Sequence, residues 1–169
     1  MTRLSPAYLV EKFQLQPHPE GGYYAETYRS AEAIQHASLP SRFTGDRSYS
    51  TAIYFLLPSG ALSALHRIQS DEVWHFYSGD PLELVMISPD GESKTILIGN
   101  DPRQGHFFQF VVPAGHWFAS RCVVPAGGHS FVGCTVAPGF DFSDFEMAER
   151  NKLKDQFPQH SELIDLFTH

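Results

Sequence analysis

The chain has 169 residues, 42% of them hydrophobic, and a formal net charge of −7. Its length suits one domain with a sizeable core, and its 14 phenylalanines and 7 tyrosines favour a β-rich interior. The twelve basic residues are scattered, which excludes nucleic acid and anionic membranes as partners because both need concentrated positive charge. No apolar stretch reaches the roughly 18 residues of a membrane span, and no signal-peptide pattern opens the chain. We therefore expect a cytoplasmic protein.

The N-terminal part predicts a helix, a turn and a first strand. A serine followed by a proline is typical of a helix start, and the apolar positions after it predict a helix over about 5–15. The segment 17–22, with two prolines and two glycines, predicts a turn that ends the helix, and a strand follows over about 23–29. Residues 30–48 are polar and aperiodic, which predicts a long loop or flap with a functional role.

Most of the remaining chain alternates apolar and polar residues in short runs that turn signals separate. The predicted strands are Tyr49–Leu57, Ser63–Ile68, Glu72–Tyr77, Leu82–Ser88, Lys94–Ile98, Phe107–Val112, Trp117–Val123 and Ser130–Val136. Many short strands at this spacing predict a sandwich or a barrel, with a jelly roll among the alternatives. After residue 138 apolar residues recur among charges, which predicts C-terminal helices over about 142–167.

The segment from Gly60 to Gly79 carries the strongest chemical signal. His66 and Glu72 lie six positions apart in two alternating runs. If these runs are neighbouring strands with both residues facing inward, the two side chains enter one cavity. A buried imidazole beside a buried carboxylate indicates a metal corner, an acid/base pair or a ligand anchor.

This segment resembles the first motif of the cupin superfamily, in which glycine, two histidines, glutamate and glycine recur at fixed spacing. Gly60, His66, Glu72 and Gly79 match that motif. Ile68 stands at the position of the second histidine, and its side chain cannot coordinate a metal.

The segment 112–118 resembles the second cupin motif and supplies its proline and glycine. Phe118 occupies the position of the motif's histidine, and Cys122 that of its asparagine. Of the four metal ligands typical of the superfamily, only His66 and Glu72 remain.

The resemblance narrows to an uncharacterised cupin-like family of unknown function that has a yeast member. It extends from about residue 4 to residue 167 and rests on the phrases HPEGGYY, STAIYFLL, HRIQSDEVWHFYSGDPLEL, VPAGHWFA and VAPGFDFSDFEM. It implies an all-β fold, the double-stranded β-helix or cupin jelly-roll barrel, with the N-terminal helix and the C-terminal helices packed outside. Residues 1–169 would form a single cupin domain with its barrel over about 23–137. The family is similar in fold to sugar-nucleotide epimerases and seed storage proteins, and it implies a homodimer.

The main functional hypothesis is a small organic ligand inside the barrel, without a cofactor. In the enzymatic form of this hypothesis, Glu72 orients His66 as the base of an epimerase or isomerase acting on a sugar or sugar-nucleotide-like substrate. Tyr54 and Tyr77 are the candidate acids. An alternative class is a non-catalytic ligand-binding or storage-like protein, in which His66 and Glu72 anchor the ligand by hydrogen bonds.

Apolar and aromatic side chains are predicted to line the same cavity. The candidate ligand-binding residues are Ile68, Trp74, Phe76, His116 and Phe118. A mostly apolar pocket with few polar groups is typical of a small-molecule site, and this lining suits a planar or partly apolar ligand.

A third class is a metal-dependent cupin oxygenase with an incomplete ligand set. In that alternative, a divalent metal would be held by His66, Glu72 and His116, whose position along its strand has the same parity as Phe118.

Several other residues carry weaker expectations. His18 and Glu20 are candidates for the rim of a barrel, which could be that of a neighbouring subunit, and Arg67 is expected to pair with Asp71. Basic side chains that could meet an anionic substrate are Arg29, Arg42 and Arg47. The two cysteines, which have neither metal nor redox spacing, are expected to be reduced core residues.

Overall fold

A computed structural model of the chain describes residues 4–168. Within them, the α-helices are α1 Pro6–Phe13, α2 Arg150–Gln156 and α3 Ser161–Leu166. The strands are β1 Gln16–Pro17, β2 Tyr23–Arg29, β3 Ala33–Ile34, β4 Arg47–Ser48, β5 Thr51–Pro58, β6 Leu62–Arg67, β7 Asp71–Gly79, β8 Leu82–Ile87, β9 Ser93–Ile98, β10 His106–Phe107, β11 Gln109–Val112, β12 Trp117–Cys122, β13 His129–Ala137 and β14 Glu146–Met147.

Two six-stranded sheets form the body of the molecule. The first sheet has the order β1-β2-β5-β13-β7-β11, and the second has the order β10-β9-β8-β12-β6-β14. Nearly all pairings are antiparallel, as expected for a jelly roll, whereas β10 runs parallel to β9. The strands β3 and β4 form a separate two-stranded ribbon within the predicted loop 30–48.

Strict alternation along the strands explains how the sheets pack. Phe55 of β5 and Phe118 of β12 point inward and belong to the core between the two sheets. Leu56, the neighbour of Phe55, points outward to a cluster with Leu9 of α1. Trp117 similarly points outward. Because side chains alternate along a strand, each sheet buries one face in the barrel and packs part of its other face under a helix.

The helices therefore pack against the outside of the barrel, as predicted. The outer face of the second sheet contacts Leu153 of α2 and Ile164 of α3, both buried. Helix α1 begins as the sequence indicates, because the Ser5 hydroxyl accepts a hydrogen bond from the backbone N–H of Tyr8. Among residues 4–168, no helix is both long and apolar enough to cross a bilayer.

Three predicted elements differ from the structure. The run 107–112 is divided at Phe108, so that β10 joins one sheet and β11 the other. The segment from residue 142 is not helical at first: a 3-10 turn and then β14, which pairs with β6, precede α2. Helix α1 ends at Phe13, and Gln14 adopts the left-handed conformation. Pairing with a distant strand outweighs the local helical pattern at β14.

Candidate functional site

A cavity of about 380 Å³ lies inside the barrel against the inner face of the first sheet. Its lining is contributed by the turn before β2, by β2, β5, β6, β7 and β13, and by the segment after β13. The lining residues are His18, Glu20, Tyr24, Glu26, Arg29, Thr51, Ile53, Phe55, His66, Ile68, Glu72, Cys134, Val136, Phe140, Asp141, Phe142 and Phe145. The volume lies within the usual range of small-molecule sites, roughly 300 to 1,000 Å³.

Strand parity brings the polar groups together. Tyr24 and Glu26 alternate along β2 and both face the cavity, as Cys134 does from β13. His66 near the end of β6 and Glu72 at the start of β7 enter the same space. His66 and Glu72 therefore share one cavity, as predicted.

The partner of His66 is Glu20, not Glu72. Nε2 of His66 lies 2.9 Å from Oε2 of Glu20, and Nδ1 lies 2.7 Å from the carbonyl oxygen of Ala64. Carbonyl and carboxylate oxygens only accept hydrogen bonds, so both ring nitrogens carry a proton and His66 is an imidazolium. Burial lowers the pKa of His66, but the Glu20 carboxylate and the two hydrogen bonds outweigh burial and raise it. The expectation of a His66–Glu72 dyad is wrong on this point.

Glu20 is placed by the turn that precedes β2. Its Oε1 accepts a hydrogen bond from the hydroxyl of Ser63 at 3.0 Å, and its carbonyl accepts one from the N–H of Ala64. Burial raises the pKa of Glu20, yet the charge of His66 and its hydrogen bond lower it below the ordinary value. Glu20 and its neighbour His18 thus line the cavity of their own chain.

Glu72 has the opposite electrostatic environment. Its side chain is buried, with 8% of the residue exposed, and in the described part of the chain no lysine, arginine or histidine forms an ion pair with it. The pKa of Glu72 is raised to about 7. Burial raises this pKa most, the charge of His66 lowers it, and the charge of Glu20 raises it. Two buried carboxyl groups in one cavity therefore differ: Glu20 is ionised and Glu72 titrates near neutrality.

Cys134 is the immediate hydrogen-bond partner of Glu72. Burial and then the nearby Glu72 raise the pKa of the Cys134 thiol well above its ordinary value, so the thiol stays protonated and donates to the carboxylate. Both cysteines are free and buried, as expected.

An aromatic segment, residues 138–145, forms the remaining wall. The Phe145 ring lies 5.3 Å from the His66 ring, and the Phe142 ring stacks on His18 at 6.2 Å between ring centroids. The guanidinium of Arg29 donates to the carbonyl oxygen of Phe140 at 3.1 Å from each of its terminal nitrogens. The segment thus brings apolar rings against the polar end of the cavity.

A buried ion pair fastens this segment to the loop 30–48. Two nitrogens of Arg47 each lie 2.6 Å from an oxygen of Asp144, and both side chains are 4% exposed. A third nitrogen of Arg47 donates to the carbonyl oxygen of Asp46 at 2.7 Å. Such bidentate geometry is specific to arginine. Arg47 is therefore committed to structure and does not face the cavity.

Tyr54 and Tyr77 do not reach the cavity, so their predicted role as acids there is wrong in position. Their rings contact each other at 5.8 Å on the outer face of the first sheet, where Tyr54 also packs on Phe13 of α1. Tyr77 is 49% exposed. The tyrosine that lines the cavity is Tyr24, because its parity along β2 points inward.

The predicted ligand-binding residues divide into two groups. Ile68 lines the cavity. Trp74, Phe76 and Phe118 belong to the core between the sheets and do not line the cavity, although the Phe118 ring packs 4.1 Å from the His66 ring. Their apolar side chains fill the part of the barrel beside the cavity.

His116 lies apart from the cavity, in a separate depression of about 250 Å³ with Met86, Lys94 and Phe110. The alternative metal site of His66, Glu72 and His116 is therefore wrong in geometry. In residues 4–168 no group of three or more His, Cys, Asp or Glu side chains is arranged to hold a metal ion. Both nitrogens of His66 are also engaged, so the residues present do not fit the metal of the superfamily.

The other basic side chains have separate partners. Of the three arginines considered for an anionic substrate, Arg29 lines the cavity and Arg42 donates to the carbonyl oxygen of Gln69 at 2.7 Å. Arg67 pairs with Glu146 at 2.7 Å instead of with Asp71. The sequence reasoning missed Tyr24 and Glu26, although their alternation along the strand over 23–29 was a usable signal.

Two facing sheets closed around a polar cavity define a cupin barrel. The chain belongs to the family described as "Cupin superfamily (DUF985)", whose model matches residues 7–148. It is 31% identical over 144 residues to the uncharacterized protein YML079W of Saccharomyces cerevisiae, covering 80% of this chain and 71% of that one.

Solved structures of similar proteins agree with this assignment. A hypothetical protein from Leishmania major superposes with a TM-score of 0.88 at 35% identity, over 98% of this chain and 99% of that chain. Protein SO0799 from Shewanella oneidensis superposes with a TM-score of 0.87 at 37% identity, over 98% of both chains. The predicted family and the predicted jelly-roll fold are confirmed.

Proposed function

We propose that this cupin binds a small organic carbonyl compound in the barrel cavity and transfers a proton on it, as an isomerase or epimerase does, with Glu72 as the acid and base. The observation that carries this proposal is the buried carboxyl group of Glu72, whose pKa is raised to about 7. General acid–base catalysis is most effective when the catalytic pKa lies near the working pH. The Glu72 carboxylate can then remove a proton from the hydroxyl-bearing carbon beside the carbonyl and return it to the former carbonyl carbon, while the hydroxyl proton passes to the former carbonyl oxygen.

His66 supports the reaction through its charge and not as the base. Its two N–H groups are directed at Ala64 and Glu20, so the ring offers no lone pair to a substrate. The His66 imidazolium, paired with Glu20, offsets one negative charge of the cavity in which an enolate forms. The role of catalytic base, predicted for His66, therefore belongs to Glu72 in this proposal.

The charge of the lining favours a sugar-like ligand without phosphate groups over a sugar nucleotide. Arg29 is occupied by Glu26, at 2.7 Å, and by the carbonyl oxygen of Phe140. His66 is occupied by Glu20. A diphosphate would find neither cation free, whereas a hydroxyketone needs only hydrogen bonds and apolar contact.

Solvent deuterium uptake tests the proposal. The purified protein in D2O near neutral pH is incubated with hydroxyketones such as dihydroxyacetone, and C–H exchange is followed by NMR. We expect exchange in the wild type and at least a hundredfold loss in Glu72→Gln, because general acid–base catalysis contributes roughly 10² to 10⁴ in rate. Glu11→Gln, an exposed change on α1, is the matched control and should exchange like the wild type.

Two outcomes would contradict the proposal. Exchange that persists in Glu72→Gln would remove Glu72 from the chemistry. Absence of exchange with every hydroxyketone tested would favour the second candidate, a non-catalytic ligand-binding cupin. That alternative is supported by one observation, the complete saturation of His66 by protein acceptors.

A further inference from the structure

The charged groups of the cavity do not balance after the ion pairs are formed. Both cations of the lining are paired, His66 with Glu20 at 2.9 Å and Arg29 with Glu26 at 2.7 Å. One further buried acidic group of the lining remains, Glu72 inside the cavity, whereas Asp141 of the aromatic segment is exposed.

Of the acids that line the cavity in the described chain, Glu72 is the buried one without an ion pair. Among the residues that the structure describes, Glu72 has its hydrogen bond with the Cys134 thiol, and Asp141 accepts hydrogen bonds from the backbone N–H and the hydroxyl of Ser143. In the described residues no lysine or arginine forms an ion pair with Glu72. Asp141 is exposed, and its hydrogen bonds with Ser143 together with the charges of Arg47 and Arg29 lower its pKa. A buried carboxylate without a counter-charge is costly, so Glu72 holds its proton up to a pKa of about 7 unless a ligand supplies a positive charge.

Aromatic rings line the same cavity as Glu72. The rings of the lining are Tyr24, Phe55, Phe140, Phe142 and Phe145. Rings of the aromatic segment meet edge to face, with Phe140 and Phe142 at 5.0 Å and Phe142 and Phe145 at 5.9 Å between centroids. Aromatic faces attract cations within about 6 Å, and a wall of such rings beside a carboxylate is typical of sites for organic ammonium groups.

We infer that the ligand of this cavity carries a positively charged nitrogen, as a quaternary or protonated amine does, which sits between Glu72 and the aromatic wall. This inference deepens the proposed function and concerns the same cavity. It names the chemical class of the ligand: an organic cation small enough for about 380 Å³, with a carbonyl group if the chemistry proposed above takes place.

Binding of such a cation is linked to proton release. The ionisable groups that face Glu72 are His66 from β6, Glu20 and His18 from the turn before β2, Cys134 from β13, and, further along the lining, Glu26, Arg29 and Asp141. A cation beside Glu72 favours the ionised carboxylate, so the carboxyl proton passes to solvent when the ligand binds. The affinity for a cation therefore rises as pH increases through about 7, the pKa of Glu72 in the free protein. The released proton leaves Glu72 as the base that the proposed reaction needs.

Choline and its uncharged isostere 3,3-dimethylbutan-1-ol test the inference, because they differ in charge and hardly in shape. Isothermal titration calorimetry of the full chain at pH 6, 7 and 8, in buffers of different ionisation enthalpy, measures affinity and proton release together. We expect choline to bind about tenfold or more tightly than the isostere. We also expect its affinity to rise severalfold from pH 6 to pH 8, with net proton release near pH 7.

Two variants sharpen the test. Glu72→Gln should abolish both the proton release and the pH dependence of choline binding, whereas Glu11→Gln should keep them. Phe142→Leu should weaken choline more than the isostere, because leucine retains apolar contact but lacks the aromatic face. Circular dichroism of each variant confirms that it is folded.

The inference is overturned if choline does not bind, if the isostere binds as tightly as choline, or if Glu72→Gln keeps the pH dependence. These results are independent of the deuterium experiment. If choline and its isostere bind equally well while deuterium exchange is intact, the cationic ligand alone is refuted. If choline binds more tightly than the isostere but no deuterium exchange occurs, the catalytic proposal alone is refuted.

Discussion

The free energy of unfolding of Glu72→Gln, compared with that of the wild type, should increase as the pH rises, because the wild type loses stability and the variant does not. In the native state burial raises the pKa of Glu72 from 4.5 to about 7. Between these two values the native protein holds a proton that the unfolded chain has lost. The free energy of unfolding of the wild type therefore falls as pH increases from about 4.5 through about 7, while glutamine has no charge to desolvate.

The magnitude follows from the two pKa values. The difference between 4.5 and about 7, at about 1.36 kcal/mol per pKa unit, corresponds to about 3 kcal/mol. At pH 4 Glu72 is mostly protonated in both the native and the unfolded state, so the difference in unfolding free energy between the variant and the wild type reflects only the replacement of a carboxyl group by an amide. At pH 8 the same comparison should have moved by about 3 kcal/mol in favour of the variant.

Urea denaturation followed by circular dichroism at pH 4, 5, 6, 7 and 8 measures this difference directly. Glu11→Gln, an exposed substitution of the same chemical type, should show no comparable trend. A difference between Glu72→Gln and the wild type that stays constant across the pH range would refute the reasoning. It would mean that Glu72 is ionised with an ordinary pKa, and the basis for both proposals would be lost.

Three further substitutions test the architecture of the site. Glu20→Gln removes the partner of buried His66, so the His66 pKa should fall below its ordinary value in an NMR titration and stability should decrease by about 3 kcal/mol. Asp144→Asn leaves Arg47 buried without its counter-charge, which should cost about 3 kcal/mol in urea unfolding and weaken choline binding through the aromatic segment. Gly21→Ala should cost more than about 2 kcal/mol, because its φ is +110° and a Cβ would collide with the carbonyl oxygen of Leu62.

Matched controls accompany these changes. Glu149→Gln removes an exposed ion pair with Lys152 and should cost less than about 1 kcal/mol, in contrast to Asp144→Asn. Gly105→Ala has a similar positive φ, +79°, but meets no atom within 4 Å, so it should cost only about 1 kcal/mol. Equal losses for Gly21→Ala and Gly105→Ala would show that the close approach to β6 is unimportant. An unchanged His66 pKa in Glu20→Gln would show that another group fixes the imidazolium.

Much of the barrel could be predicted from the sequence because alternation is a local property. Every predicted strand between residues 49 and 136 has a counterpart in the structure, with ends displaced by a few residues. The division of the run 107–112 was not predictable, since the two halves are equally apolar and their partners, β9 and β7, belong to different sheets. The short strand β14 was missed for a related reason, because it is stabilised by pairing with β6 and not by its own sequence.

The sequence by itself determined the family and the barrel, through the motif from Gly60 to Gly79 and the further phrases along the chain, and strand parity predicted that His66 and Glu72 share a cavity. Their chemistry was decided by contacts distant in sequence, above all the 2.9 Å contact between Glu20 and His66. That contact makes the histidine a fixed cation and leaves Glu72 as the group that titrates near neutrality. Strand parity can be read along the chain, but a pKa depends on the burial and the charges that surround a group in three dimensions, and only the folded structure brings those together.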